Sequence, residues 1–203
     1  RECIGFHTRF GETHPRDLMS NFDFLKAEWP DLLDAAGKAE SLAYSDARAA
    51  CFYARRTLEL AVHWLYKHDS ALKLPYQEHL SALIHEPTFR DALGPVAFAK
   101  ARMLKELGNL AVHSHKPVRQ LDGITATREL FHFCFWLART YARGAKPADG
   151  LTFNPDLMQK AAAAPSQTQD QLQHLETQLR ERDEKLTALL ADKTALDEEL
   201  KLL

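Results

Sequence analysis

The sequence predicts an all-α protein: an antiparallel helical bundle, then a linker, then a C-terminal coiled-coil helix. Apolar residues recur at steps of three and four from about residue 21 to residue 143, which is typical of amphipathic helices. No segment alternates apolar and polar residues as a half-buried strand does. With 45% apolar residues among 203, the chain has enough hydrophobic material for one core.

The chain opens with an irregular segment. It begins with Arg1, shows no sustained periodicity over residues 1–18, and reaches a natural start at Met19. Ser20, with Asp23 three residues later, resembles a helix cap. We therefore predict that residues 1–18 are a disordered or non-native extension and that the bundle spans residues 19–145.

Helices follow one another through the bundle. The pattern predicts a short helix before Trp29-Pro30, then helices at about 31–43, 47–67 and 77–85, a single turn at 88–93, a long helix after Pro95, and a last helix at 123–143. Prolines divide the middle of this region because a proline ring cannot continue a helix that precedes it. Asp122 is predicted to cap the last helix, and Gly144 to end it in the left-handed conformation.

A composition change marks the end of the bundle. Residues 146–168 are rich in proline and alanine and predict a linker, and residues 169–203 predict a coiled-coil helix. Its heptad seam consists of ten positions at steps of three and four, two of which are Arg182 and Lys193. The other eight are leucines: Leu172, Leu175, Leu179, Leu186, Leu189, Leu196, Leu200 and Leu203.

The seam requires a partner helix. In a parallel homodimer Asp192 would face Asp197 of the other copy, so an antiparallel hairpin or a different partner chain fits better. Because Leu203 is itself a seam position without a cap, we expect the natural protein to continue beyond it.

Composition excludes several classes of protein. Cys3, Cys51 and Cys134 are too far apart for a disulfide framework or a zinc knuckle, which indicates a reducing, cytoplasmic setting. No apolar segment approaches the roughly 20 residues of a membrane helix, so no membrane partner is predicted. The phosphate-binding glycine motifs of nucleotide enzymes do not occur, and we predict no cofactor.

The segment Glu106–His115, ELGNLAVHSH, is the candidate site. Asn109 and His113 are four residues apart and share one helix face, and His115 follows. These three are candidates for a general base or phosphate-binding group, whereas the alternative is that Asn109 and His113 satisfy backbone groups at the helix end. The spacing of His113 and His115 does not suit a helical zinc pair, so no metal site is predicted.

Basic residues are concentrated around this segment. Residues 100–146 hold nine Lys or Arg against three Asp or Glu, whereas residues 166–203 hold five against nine. Local positive charge favours phosphate-bearing partners, and Lys105, Lys116 and Arg119 are the candidate phosphate or nucleic-acid contacts. The alternative is that such residues form ordinary solvated helix surfaces.

Four stretches carry a family resemblance. They resemble the N-terminal helical domain of type I restriction enzyme R subunits. In chain order they are MSNFDFLKAEWPDLLDAAGKAESLAYSDARAACFYARRTLELAVHWLY, LPYQEHLSALIHEPTF, KELGNLAVHSHKPV and RELFHFCFWLARTYARG. That domain is similar to HEPN-like bundles and is classed as a domain of unknown function. The linker and leucine seam resemble the spacer before the nuclease and helicase parts.

The resemblance implies a non-catalytic docking domain of a DNA restriction system. Its partners would be other restriction-modification subunits, with DNA contacted through the parent protein, an ATP-dependent type I site-specific deoxyribonuclease subunit. Nuclease and ATPase motifs do not occur in this chain. The alternative is a HEPN-type RNA-cleaving or nucleotide-binding enzyme using His113. HEPN ribonucleases place an arginine before the histidine with four to six residues between them, and those positions here are Gly108, Leu107 and Glu106.

Overall fold

The computed structural model describes residues 20–158 and 168–200, and these residues are helical without a strand. The prediction of an all-α fold is confirmed. The predicted extension, residues 1–18, lies outside the described residues. Six α-helices lie in the described ranges: α1 (Pro30–Leu42), α2 (Ala47–His68), α3 (Leu80–His85), α4 (Pro87–His113), α5 (Gln120–Tyr141) and α6 (Gln169–Leu200). Short 3-10 turns lie at Asp23–Leu25 and Pro155–Leu157.

Helix α2 is the centre of the bundle and packs against α1, α4 and α5. Its alanines at 50, 54 and 61 are fully buried, so neighbouring helices approach its backbone closely. Asp46 caps its first turn by accepting a hydrogen bond of 3.0 Å from the backbone N–H of Ala49. Large side chains from several elements fill the remaining core: Phe22, Leu58, Leu65, Phe89, Leu104, Leu130 and Phe133.

Helix α4 bends sharply at Gly94. This residue has φ 68° and ψ 172°, a conformation that favours glycine, and Pro95 starts the second arm. The predicted turn at 88–93 and the predicted long helix after Pro95 are therefore two arms of one kinked helix. Helix α3 is shorter than predicted, because His79 caps it by accepting a hydrogen bond of 3.1 Å from the N–H of Ala82.

Helix α5 differs from its prediction at both ends. It begins at Gln120, so Asp122 lies inside its first turn and accepts a hydrogen bond of 3.0 Å from the N–H of Arg119. The prediction that Asp122 is the cap residue is wrong. Gly144 does not have a positive φ; instead its N–H donates to the Glu28 carboxylate at 2.8 Å. The left-handed helix end predicted there is also wrong.

The first part of the predicted linker lies against the bundle. Asn154 donates its N–H to the Asn21 side chain at 2.6 Å, and the same side chain donates to the Asn154 carbonyl at 2.9 Å. Met158 is buried, and the Phe153 ring packs 5.7 Å from the ring of Phe131. Residues 146–158 thus form part of the folded unit, and residues 159–167 lie outside the described residues.

Every helix in the described part of the chain is too short or too polar to cross a bilayer.

Candidate functional site at the end of helix α4

The three candidate catalytic residues lie in the last two turns of α4 and in the loop that follows it. Asn109 is half-buried, and His113 and His115 are exposed. None of the hydrogen bonds among the described residues involves these three side chains, so the structure brings no base and nucleophile together here. The described part of the chain contains no group of three His, Cys, Asp or Glu side chains placed to hold a metal ion.

Arg48 of α2 holds the end of α4. Its guanidinium donates to the carbonyl oxygens of Ala111 at 2.6 Å, Ser114 at 3.0 Å and Lys116 at 2.7 Å. The last carbonyls of a helix have no partner within the helix, and a cation at that end also interacts favourably with the helix dipole. The backbone-satisfying role that one alternative gave to Asn109 and His113 therefore belongs to Arg48.

The candidate phosphate contacts occupy three different environments. Lys105 is half-buried on the flank of α4, and Lys116 is exposed in the loop after it. Arg119 is 75% exposed but is bound to Asp122, with side-chain hydrogen bonds of 3.2 Å and 2.9 Å. The hydrogen bond from Arg119 is the main reason that the pKa of the Asp122 carboxyl lies below its ordinary value. Lys116 thus presents an unneutralised charge, whereas Arg119 is paired.

A shallow cleft of about 370 Å³ lies between the start of α2 and the loop before α5. Its lining residues include Arg48 but none of the three residues whose carbonyls Arg48 binds: Tyr44, Ser45, Asp46, Ala47, Arg48, Pro117, Val118 and Gln120. Because the Arg48 guanidinium already donates to three carbonyls, few of its N–H groups remain for a ligand in the cleft.

Gly108 lies where α4 crosses α2. A Cβ atom at this position would lie 2.2 Å from Cβ and 2.6 Å from Cδ of Arg55. Gly108 is therefore a point of close contact between two helices, which only a residue without a side chain allows.

Helix α6 covers the groove between α2 and α4. Leu172 is fully buried in a cluster with Ala49, Phe52 and Val112, and Leu175 and Leu179 pack on that cluster while remaining partly exposed. The Gln173 amide donates to the Val112 carbonyl at 2.9 Å. The first three seam leucines therefore have the bundle itself as their partner. The side chains of the seam residues Leu186, Leu189, Leu196 and Leu200, and all of Leu203, lie outside the described residues.

Two ion pairs hold α6 in this groove. Arg55 of α2 pairs with Glu176 at 2.5 Å, and Arg56 pairs with Asp183. The arginine side chains are 14% exposed and their carboxylate partners 28% and 35%, so these pairs are partly shielded from water, which strengthens them relative to fully exposed pairs. Sequence reasoning did not single out these arginines. Their signal was the seven-residue spacing of Arg48 and Arg55, which places both on one side of α2.

A second charged cluster joins α4 to α5. Glu129, 8% exposed, accepts hydrogen bonds from Lys100 and, at 3.1 Å, from Arg128. Burial raises the pKa of the Glu129 carboxyl, but hydrogen bonds and charges from Lys100 and Arg128 outweigh it, and the net shift is downward. Burial, and then the charge of Lys100, lower the pKa of the nearby His132 imidazole. The Glu129 carboxylate is therefore fully paired, and the cluster is a packing contact between α4 and α5.

The fold and the site define an all-α bundle whose groove is closed by its own C-terminal helix. Residues 37–178 match the family described as Domain of unknown function (DUF4145), and the chain belongs to that family. The match continues through the predicted linker and ends inside α6, near the last of the three docked leucines. No curated protein and no solved structure shows a match to the chain.

Proposed function

We propose that this chain is a non-catalytic N-terminal docking domain of a type I restriction enzyme R subunit, acting in DNA restriction and host defence in the cytoplasm. In this proposal the HEPN-like bundle contacts other subunits of the restriction-modification complex. Helix α6 continues as a spacer towards the motor and nuclease parts of the parent protein. The proposal starts from the resemblance of residues 19–145 and of the leucine seam.

The attachment of α6 is the observation that carries the proposal. Leu172, Glu176 and Asp183 fasten the start of α6 along the direction of α2. At 1.5 Å per residue, the 32 residues of α6 span about 48 Å and the 22 residues of α2 about 33 Å. A helix fixed at one end and longer than its support suits a spacer that holds two domains at a set distance.

The state of the histidines supports docking over catalysis. His113 and His115 are exposed, and neither is oriented by a hydrogen bond from a second residue. A general base needs such an orienting partner and a substrate proton within reach. The RNA-cleaving enzyme remains the second candidate, because two exposed imidazoles stand beside Lys116.

Sedimentation velocity with the modification and specificity subunits of the same restriction system tests the docking proposal. The chain should co-sediment with that complex at a defined stoichiometry. An RNA cleavage assay on the same preparation, with His113→Ala as the matched variant, tests the second candidate. Absence of a complex, together with cleavage that His113→Ala abolishes, would overturn the docking proposal.

A further inference from the structure

Two partly buried arginines lie beneath α6. Arg55 and Arg56 are each 14% exposed, and each is bound to an α6 carboxylate, Glu176 or Asp183. Arg56 has one additional acidic neighbour, Glu59 on its own helix, at 3.6 Å. The Nε atom of Arg55 is buried and has no hydrogen-bond partner. Since a guanidinium has five N–H donors, α6 does not satisfy Arg55 completely.

The carboxylates of α6 resemble a phosphate backbone in one respect, because both present anionic oxygens that accept hydrogen bonds. Glu176 and Asp183 are seven residues apart, about 10.5 Å along the helix axis, and so present anionic oxygens in a row. Arginine binds carboxylates and phosphodiesters through the same planar set of N–H donors. The groove between α2 and α4 therefore contains cations suited to either kind of anion.

The flank of α4 beside this groove carries one lysine and one histidine. Lys105, Asn109 and His113 recur at steps of four and share one side of the helix. Gln173 of α6 reaches the carbonyl of Val112 next to that side. Part of the positive excess of residues 100–146 thus lies on the helix that packs against α6, and the charged residues of α6 are mainly acidic.

We propose that the groove between α2 and α4 is a binding site for the phosphate backbone of nucleic acid, with Arg55 and Arg56 as its phosphate ligands. Helix α6 occupies the site in the free protein through Glu176 and Asp183. Nucleic acid and α6 compete for the same two arginines. The proposal makes no assumption about the parent enzyme and goes beyond the docking function above.

A pair of isosteric substitutions removes the negative charge of the competing helix while keeping its shape. Glu176→Gln with Asp183→Asn removes both carboxylates from the arginines. Glu181→Gln with Glu184→Gln is the matched control, because it removes the same charge from exposed positions of α6 and Glu184 is 67% exposed. Fluorescence anisotropy with labelled duplex DNA and with single-stranded RNA, over a salt series, measures binding by both variants and the wild type.

The first variant should bind at least one of the two nucleic acids about tenfold or more tightly than the control variant does. On duplex DNA the salt dependence should steepen by about 1.8, since each neutralised phosphate contributes about 0.9 to the slope. Adding Arg55→Gln and Arg56→Gln should return the affinity to that of the control. Equal binding by the two variants, or a gain that survives loss of the arginines, overturns the proposal.

Wild-type protein gives the same test without a substitution. Hydrogen exchange of the amides at 172–183 should accelerate at saturating nucleic acid, because α6 leaves the groove. If the substituted proteins fail to fold and exchange in α6 is unchanged by DNA and by RNA, the proposal is wrong.

Discussion

The contact at Gly108 makes the packing of α4 on α2 open to a direct test. Alanine inside a helix is about 1 kcal/mol more favourable than glycine, so Gly108→Ala gains that amount from the backbone. The new Cβ, however, would lie 2.2 Å from Cβ of Arg55, an atom attached to the helix backbone that no rotamer change moves away. Overpacking of this kind costs about 1–3 kcal/mol, and so close a contact belongs at the upper end.

Gly108→Ala should therefore lower the free energy of unfolding by about 1–2 kcal/mol, or the melting temperature by about 2–8 °C. Gly37→Ala is the matched control, because Gly37 lies inside α1 with no atom within 4 Å of the added Cβ. That substitution should stabilise the protein by up to about 1 kcal/mol. Urea unfolding followed by circular dichroism measures both. If Gly108→Ala stabilises the protein as much as Gly37→Ala does, the described crossing of α2 and α4 is wrong.

Three further substitutions test separate parts of the structure. Arg48→Met removes three charge-assisted hydrogen bonds from the end of α4 and should lower the free energy of unfolding by about 2 kcal/mol. Hydrogen exchange at 114–119 should become faster, and unchanged exchange would contradict the role of Arg48 at this helix end. Burial lowers the pKa of His132 below its ordinary 6.5, so stability should fall as pH drops below about 6.5 towards the folded-state pKa. His132→Gln should flatten that dependence in urea unfolding, and an unaltered profile would assign it to another group. Leu172→Ala opens a cavity, a change that normally lowers the free energy of unfolding by about 2–5 kcal/mol, and α6 should lose its protection from hydrogen exchange. Thr177→Ala, on the exposed side of α6, should leave that protection unchanged. Equal protection in the two variants would contradict the docking of α6.

Local chemistry was sufficient to predict most helices. The predicted range of 47–67 for α2 is one residue short, because Asp46 supplies a cap and the apolar stripe is continuous. Gly94 and Pro95 mark a break in α4 that the sequence also indicated, although the two arms form one kinked helix. Helix ends that depend on distant partners were predicted incorrectly: Gly144 donates to Glu28, which is 116 residues away.

The site was harder to predict, because its contacts join residues far apart in the chain. Arg55 pairs with Glu176, which is 121 positions away in the sequence, and Arg56 pairs with Asp183, which is 127 positions away. A heptad pattern indicates that the leucines pack against an apolar partner, but it does not identify that partner. The same pattern is compatible with a second chain and with the bundle of the same chain. Residues of the ELGNLAVHSH segment stood out by type, yet the clamp that holds them belongs to Arg48 in another helix.

Hydrogen exchange of the intact protein tests most directly whether α6 is part of the folded domain. The amides at 172–183 should exchange nearly as slowly as those of α2, because Leu172 and the two arginine pairs hold this stretch against the bundle. Exchange over 172–183 as fast as in an isolated helical peptide of the same sequence would contradict the docking, and with it both the spacer and the covered arginine groove.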